Sequence, residues 1–448
     1  MSQNSSTQMW SKNASLEGGT LSLAGIPAAQ LAKEFGTPAF FLDEDAYRSR
    51  ALAWHNGLQS EFGQHAGTIY YAAKSFICTA VAQWIAEIGI GIDVCTGGEL
   101  AAALAGGINP QKIEVHGNNK SVAEIDRAVS IGVKTIVMDS LFEIERVAAA
   151  AKKHGVRQAV MLRLTPGIEA HTHEKISTAH EDVKFGFSIA SGAAWAAVEA
   201  VGTHPELELR GVHCHIGSQI FGSEAHEIAT DRLMAFMAKY RDAFGSELPE
   251  LDLGGGFGIS YVAGDVTVEP ADVLPQIHAA VKKACATYNL AMPIVSLEPG
   301  RNIVGPTMFT MYEVGTVKDV VIDGGKVRKY VSVDGGMSDN ARTALYDAEY
   351  TAVIAQRAST APLALTRLVG KHCETGDIII NEAAQHVGDG VNFADVGKEL
   401  VAKGMEISDP ADGEKEWIAK ATTAVWPKFY KSIGGKEKLD RVAKVLGR

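Results

Sequence analysis

The stretch IEVHGNNKSVAEIDRAVSIGVKTIVMD (113–139) decides the fold. An apolar, β-branched run at 113–117 ends in a glycine and polar turn. Apolar residues then recur at helical spacing over 122–131, and a second β-branched run follows at 135–139. Strand, turn, helix and strand in so short a span make one βαβ unit. The same alternation continues in both directions. Strands are expected at Thr68–Ala73, Gly91–Cys95, Ile113–Gly117, Thr135–Asp139, Ala159–Leu164, Leu209–His215, Glu250–Leu253 and Ile294–Glu298. Amphipathic stretches lie between them at 79–88, 98–105, 122–131, 141–154, 190–201, 224–244 and 271–288. A doubly wound open sheet alternates in the same way, but eight strands over about 230 residues favour an α/β fold of the (β/α)8 barrel type.

The pattern differs outside this region. A short helix at 27–35 and a strand at 38–42 precede it. Strand-like runs at 308–317, 327–333, 350–354, 363–369 and 378–380 follow it, so a β-rich domain begins near residue 307. Past residue 381 the texture becomes helical and rich in Lys, Glu and Ala.

The 448 residues carry 42 Lys and Arg against 53 Asp and Glu, a formal charge of −11. That leaves no basic excess for phosphates and argues against a nucleic-acid partner. Hydrophobic residues at 46% and charged residues at 21% are ordinary globular usage. No apolar run is long enough for a membrane span. Residues 1–19 are polar, without the basic and apolar regions of a secretory signal, so a cytoplasmic address is expected. Five cysteines (Cys78, Cys95, Cys214, Cys285 and Cys373) without CxxC spacing support neither a disulfide framework nor a zinc site.

In a barrel the C-terminal strand ends face the active site. The first strand runs into Lys74, where a partly desolvated amine can form a Schiff base; alone it would read as a lysine reaching for solvent. The seventh runs into Gly254, Gly255, Gly256, Phe257 and Gly258, whose backbone can approach an anion. The eighth ends in Glu298, Pro299, Gly300 and Arg301, a carboxylate beside a guanidinium that could also be a structural ion pair. The sixth carries His213 and His215 on one face, a spacing that permits metal binding. No third ligand is evident, and an imidazole platform under a planar cofactor explains the motif better. His171 and His173, between Glu169 and Glu174, read as part of a substrate-access loop. An amine, an anion cradle, a flat imidazole and a carboxylate are together what pyridoxal 5′-phosphate requires; no metal is expected.

The segments YYAAKS (70–75), DVCTGGEL (93–100), HGNNKS (116–121), HIGSQI (215–220), LDLGGGFGI (251–259), EPGR (298–301), VDGGMSDNARTALY (333–346) and GKHCETGD (370–377) closely resemble the diaminopimelate decarboxylases. The resemblance covers about residues 20–380. It implies a barrel of the alanine racemase type and a C-terminal β domain that the N-terminal strand joins. It implies pyridoxal 5′-phosphate as cofactor and meso-diaminopimelate as substrate, with L-lysine and CO2 as products of the last step of lysine biosynthesis. By motif, Lys74 bonds the cofactor aldehyde, His215 stacks on the ring, and Glu298 pairs with the ring nitrogen. Ser218 and Gly254 to Gly256, with Gly300 and Arg301 beside them, hold the cofactor, and Asp93 supports the site. Arg301, Arg342 and Tyr346 position substrate carboxylates. Cys373 and Glu374 match the CESGD motif, which reaches a neighbouring subunit's site, so a homodimer is implied, with Cys373 as proton donor and Glu374 reading the distal amine.

Two departures stand out. Thr375 replaces the serine of CESGD, and no GAY-type segment with its tyrosine follows residue 380; Tyr430 lies in a different context. Residues 381–448 instead resemble the end of the solute receptors of tripartite dicarboxylate transporters. The organisation expected is an N-terminal segment (1–45) joining the β domain, a cofactor-binding barrel (46–306), a truncated β domain (307–380) and a foreign-looking helical tail (381–448). Alternatives to an active decarboxylase are a barrel that binds cofactor without turnover, or a related basic amino-acid decarboxylase.

Overall fold

The computed structural model describes residues 9–167, 184–359 and 364–383. The loop with His171 and His173, and all of the tail from residue 384, Tyr430 included, lie outside the described residues. Eight parallel strands close on themselves: β1 (Ala66–Ala72), β2 (Gly91–Val94), β3 (Ile113–Val115), β4 (Thr135–Met138), β5 (Gln158–Thr165), β6 (Leu207–His213), β7 (Glu250–Asp252) and β8 (Ile294–Leu297). Each pairs with its neighbour in sequence, and β8 returns to β1 through Val295 opposite Ala66 and Leu297 opposite Ile69. The closed order excludes the open doubly wound sheet. A two-residue strand, Phe187–Ser188, adds to β5.

The helices form where the spacing places them, at Thr79–Ile88, Gly97–Ala105, Val122–Ser130, Leu141–His154, Ala193–Gly202, Glu224–Phe244 and Pro270–Tyr288. Sharp starts follow from local chemistry. Thr96 with Glu99, and Ser121 with Glu124, form reciprocal capping boxes that satisfy amides the first turn leaves unpaired. The strands stop earlier than expected at the mouth. Glu298 and His215 lie just past the ends of their strands, outside the ladder.

One long helix, Glu44–Phe62, is absent from the expected elements although Tyr47, Ala51, Trp54, Leu58 and Phe62 form a buried helical stripe. It is tied to the end of the barrel through Asn302, whose Oδ1 accepts from Arg50 Nη2 and Trp54 Nε1, both at 2.9 Å.

The β-rich part differs from the expected runs in two places. The run at 308–317 splits into Met308–Met311 and Val314–Val321, because its halves pair with different partners. Met308–Met311 lies antiparallel to Ala39–Leu42, whereas Val314–Val321 opens a sheet continued by Val327–Val333, Thr366–Val369 and Ile378–Ala383. Residues 350–354 are not a strand; Tyr350 packs edge-on to Tyr261, and the Thr351 hydroxyl donates to the Tyr261 carbonyl at 2.8 Å. A small sheet of Ala14–Glu17, Thr20–Leu23 and Ile26–Pro27, also unexpected, packs Leu21 and Leu23 with Met311.

Candidate active site

The barrel interior below the mouth is polar. Asp93, Glu114, His116, His213, Asp252 and Glu298 are all buried, and they come from β2, β3, β6, β7 and the residues just after β3 and β8. Side chains from strands on opposite sides of the barrel meet only in its interior. His213 Nε2 and His116 Nε2 stand 3.0 and 3.1 Å from the same Oε1 of Glu298. The approaches are off-line, so this oxygen gains no well-aligned donor. Burial pushes the Glu298 carboxyl up, but His213, His116 and the Lys74 ammonium together outweigh it and hold it well below the usual carboxylate range. Both imidazoles are drawn down by burial and are neutral.

Lys74 follows β1 in a single turn, Ala73–Ser75, and is exposed at the mouth. Its charge pulls on Asp93, Glu298 and His215. Asp93 behaves oppositely to Glu298. Burial, reinforced by Glu298, pushes its carboxyl well above the usual range, and its Oδ2 has no hydrogen-bond partner. His215 lies above this group, where its Nδ1 accepts from the Gly255 amide at 3.4 Å. The histidine pair at 213 and 215 therefore divides: His213 joins the interior cluster, whereas His215 lies at the rim. His116 was not among the expected site residues. Its signal was its place in HGNNKS, just past the end of β3. With Glu298 it supplies the further ligand types that the spacing of His213 and His215 alone does not reveal.

The glycine run has a steric reason. A Cβ on Gly254 would lie 2.3 Å from the Cys214 carbonyl oxygen, one on Gly255 2.2 Å from that of Glu298, and one on Gly256 2.4 Å from that of Gly217. Gly254 and Gly256 also have φ of +67° and +99°. The ends of β6, β7 and β8 are thereby drawn together. Among the described residues, the Gly256 amide and the Ser218 hydroxyl have no hydrogen-bond partner. Gly300 packs on β1, where a Cβ would lie 2.7 Å from that of Ala72.

A second cluster joins the mouth to the β-rich part. Arg301 lies over the Tyr261 ring and Arg342 over the Tyr346 ring, and Tyr350 packs edge-on to Tyr261. Arg301 Nη1 and Arg342 Nε are buried without partners. Two guanidiniums with donors to spare suit carboxylates. Tyr261 and Tyr350, which bracket them, are additions to the expected set. Cys373 and Glu374 stand apart on an exposed turn, and among the described residues neither makes a hydrogen bond or ion pair with the barrel cluster.

A pyridine aldehyde phosphate needs an amine, an acid for the ring nitrogen and N–H or O–H donors. Lys74, the unsatisfied Glu298 Oε1, the Gly256 amide and Ser218 match those needs in chemistry. No described helix is long and apolar enough to cross a membrane.

Residues 47–305 match the family of the pyridoxal-dependent decarboxylase, pyridoxal binding domain. The chain is 50% identical over 379 residues to diaminopimelate decarboxylase of Mycobacterium tuberculosis, covering 84% of each. It is 43% identical over 394 residues to the Corynebacterium efficiens enzyme of the same name, covering 87% of this chain and 85% of that one. The crystal structure of diaminopimelate decarboxylase from M. jannaschii in complex with L-lysine matches with a TM-score of 0.72 at 27% identity, over 83% of this chain and 84% of that one. The closed barrel with its polar interior and these matches together show that the chain belongs to the pyridoxal-dependent decarboxylases, in the diaminopimelate decarboxylase family.

Proposed function

We propose that this chain decarboxylates meso-diaminopimelate to L-lysine and CO2, with Lys74 as the amine that carries pyridoxal phosphate. The observation that carries this reading is the 50% identity over 84% of both chains, reached with Lys74 and Glu298 at one barrel mouth. Bound pyridoxal phosphate supplies a sink for the electron pair left behind when CO2 departs. Lys74 is the amine that would hold the cofactor at the mouth. Glu298, anionic, holds the ring-nitrogen proton, and Asp93 stands beside Lys74 as a protonated neighbour. His215 would face the ring, while Ser218 and the Gly256 amide would receive the phosphate; the Gly254 and Gly255 amides donate to Asp252 and His215 and shape the cradle. Arg301, Arg342 and Tyr346 orient the two substrate carboxylates, which suits a substrate that bears two.

Cys373 and Glu374 act in the site of a second copy, Cys373 returning the proton and Glu374 binding the distal amine. The exposure of both on their turn supports a homodimer with shared sites. We also infer a cytoplasmic location and a division into the segment 1–45, the barrel 46–306, the β domain 307–380 and the tail 381–448.

Incubation of the full chain with cofactor and meso-diaminopimelate tests the reading. CO2 and lysine in equal amounts are expected, and cofactor bound without either product would sink it. That second outcome would favour a barrel that binds cofactor silently. One feature of the sequence speaks for it: no GAY-type segment with its tyrosine follows residue 380.

A further inference from the structure

We propose that His116 and His213 are positioning residues for the decarboxylation, two buried imidazoles whose Nε2 atoms close on one oxygen of Glu298 and hold that carboxylate in one orientation for the ring nitrogen. This rests on the reading of Glu298 as the ring-nitrogen partner. The argument is geometric first. The two imidazoles come from β6 and from the residue after β3, yet both Nε2 atoms meet one oxygen, at 3.0 and 3.1 Å. Their rings meet edge to face with centroids 4.9 Å apart and planes at 67°, which fixes each against the other. All three side chains are at most 5% exposed, so water cannot substitute for either donor.

The surroundings explain why such donors are needed. Glu114 Oε2 lies 3.7 Å from His116 Nε2, and ligand atoms of Glu114, Asp252 and Glu298 all lie within 4.8 Å of one another. So many buried carboxylates cannot all ionise. Asp93, Asp252 and Glu114 are pushed up by burial, Glu114 to about 8, and hold protons; Glu298 alone is drawn down. Lys74, Arg163 and Lys120 also act on the pair, and each disfavours a second positive charge on the rings. A neutral imidazole stabilises a carboxylate through an N–H without cancelling its charge. A lysine or arginine in its place would compete with the ring proton for Glu298.

The test compares His116→Leu and His213→Leu, which remove the donor, with His116→Gln and His213→Gln, which keep one, all in the full holoenzyme. The readouts are kcat, KM, thermal unfolding and the pH at which the visible absorbance of the bound cofactor titrates. Each Leu variant is expected to lower kcat about 10- to 100-fold with KM changed less than about 3-fold, and to move the absorbance titration to lower pH. Each Gln variant should recover most of both. Should a Leu variant not fold, the Asn variant, whose shorter donor stops short of Oε1, takes its place with the same expected loss. Leu or Asn variants with unchanged kcat and titration, or Gln variants as impaired as Leu, would overturn the proposal. Glu298→Gln separates the two readings. If it leaves titration and turnover unchanged, the assignment of Glu298 itself fails. If it abolishes both while the histidine variants change neither, only the positioning role fails.

Discussion

Two parts of the molecule hold reactive side chains in opposite ways. At the barrel mouth, Lys74, Asp93, Glu298 and His215 stand on strand ends, over an interior in which charged groups are buried and partly unsatisfied. On the turn at 370–377, Cys373 and Glu374 are exposed, and the turn is held by a single buried carboxylate, that of Asp377. Its Oδ1 accepts from the Met337 amide at 2.5 Å and its Oδ2 from the His372 amide at 2.7 Å. Gly336 and Gly370 leave room for it, since a Cβ on either would lie 2.6 or 2.3 Å from that carboxylate. The barrel uses rigid strands to build a site inside one chain, where desolvation tunes each group. The turn uses hydrogen bonds to present two side chains outward, away from the barrel cluster.

The largest expected effect falls on the barrel side. Lys74→Ala should abolish the visible absorbance of bound cofactor and reduce lysine formation by roughly 10⁴-fold; a variant that retains both would remove Lys74 from the site. Gly255→Ala should come next. Its Cβ meets the Glu298 carbonyl and forces β7 and β8 apart, at a cost of about 1–3 kcal/mol in denaturant unfolding and a loosened cofactor. Unchanged cofactor affinity would show that the close approach of these strands is dispensable.

Asp377→Ala probes the turn. It leaves two amides without their charged acceptor, and about 2 kcal/mol of stability should be lost with turnover reduced, while cofactor still binds to Lys74. Loss of cofactor binding instead would erase the contrast between the two regions. A further effect is on pH dependence. Burial pushes the Glu114 carboxyl from 4.5 to about 8, so the folded chain holds a proton that the unfolded chain releases. Its contribution to stability is complete below 4.5 and is lost as pH rises through about 8. Glu114→Gln should flatten that decline in thermal unfolding of the cofactor-free protein, and an unaltered pH profile would mean that Glu114 is ionised inside the barrel.

Much of this was legible in the residues. All eight barrel strands and the seven outer helices lie within three residues of the expected bounds, because alternating β-branched and helical periodicity is a local signal. Lys74, Glu298 and the glycine run could be read as site elements because strand ends of a barrel converge. Two of the misses share a cause. Residues 350–354 carry strand-like side chains but are recruited by Tyr261 across the molecule. The run at 308–317 breaks where its partners change, which only pairing can specify. The helix at 44–62 lies outside the expected elements although its buried residues recur at helical spacing.

The sequence by itself determined the alternating α/β architecture and the residue types for an amine-dependent decarboxylation, whereas closure of the sheet into a barrel was settled by strand pairing. Tertiary structure alone decided which of two histidines two residues apart enters the interior, that His116 joins it from across the barrel, and which of several buried carboxylates keeps its charge. Periodicity and turn chemistry act between neighbours in the chain. Burial and Coulomb interactions depend on distances through space, and those exist only once the barrel has closed.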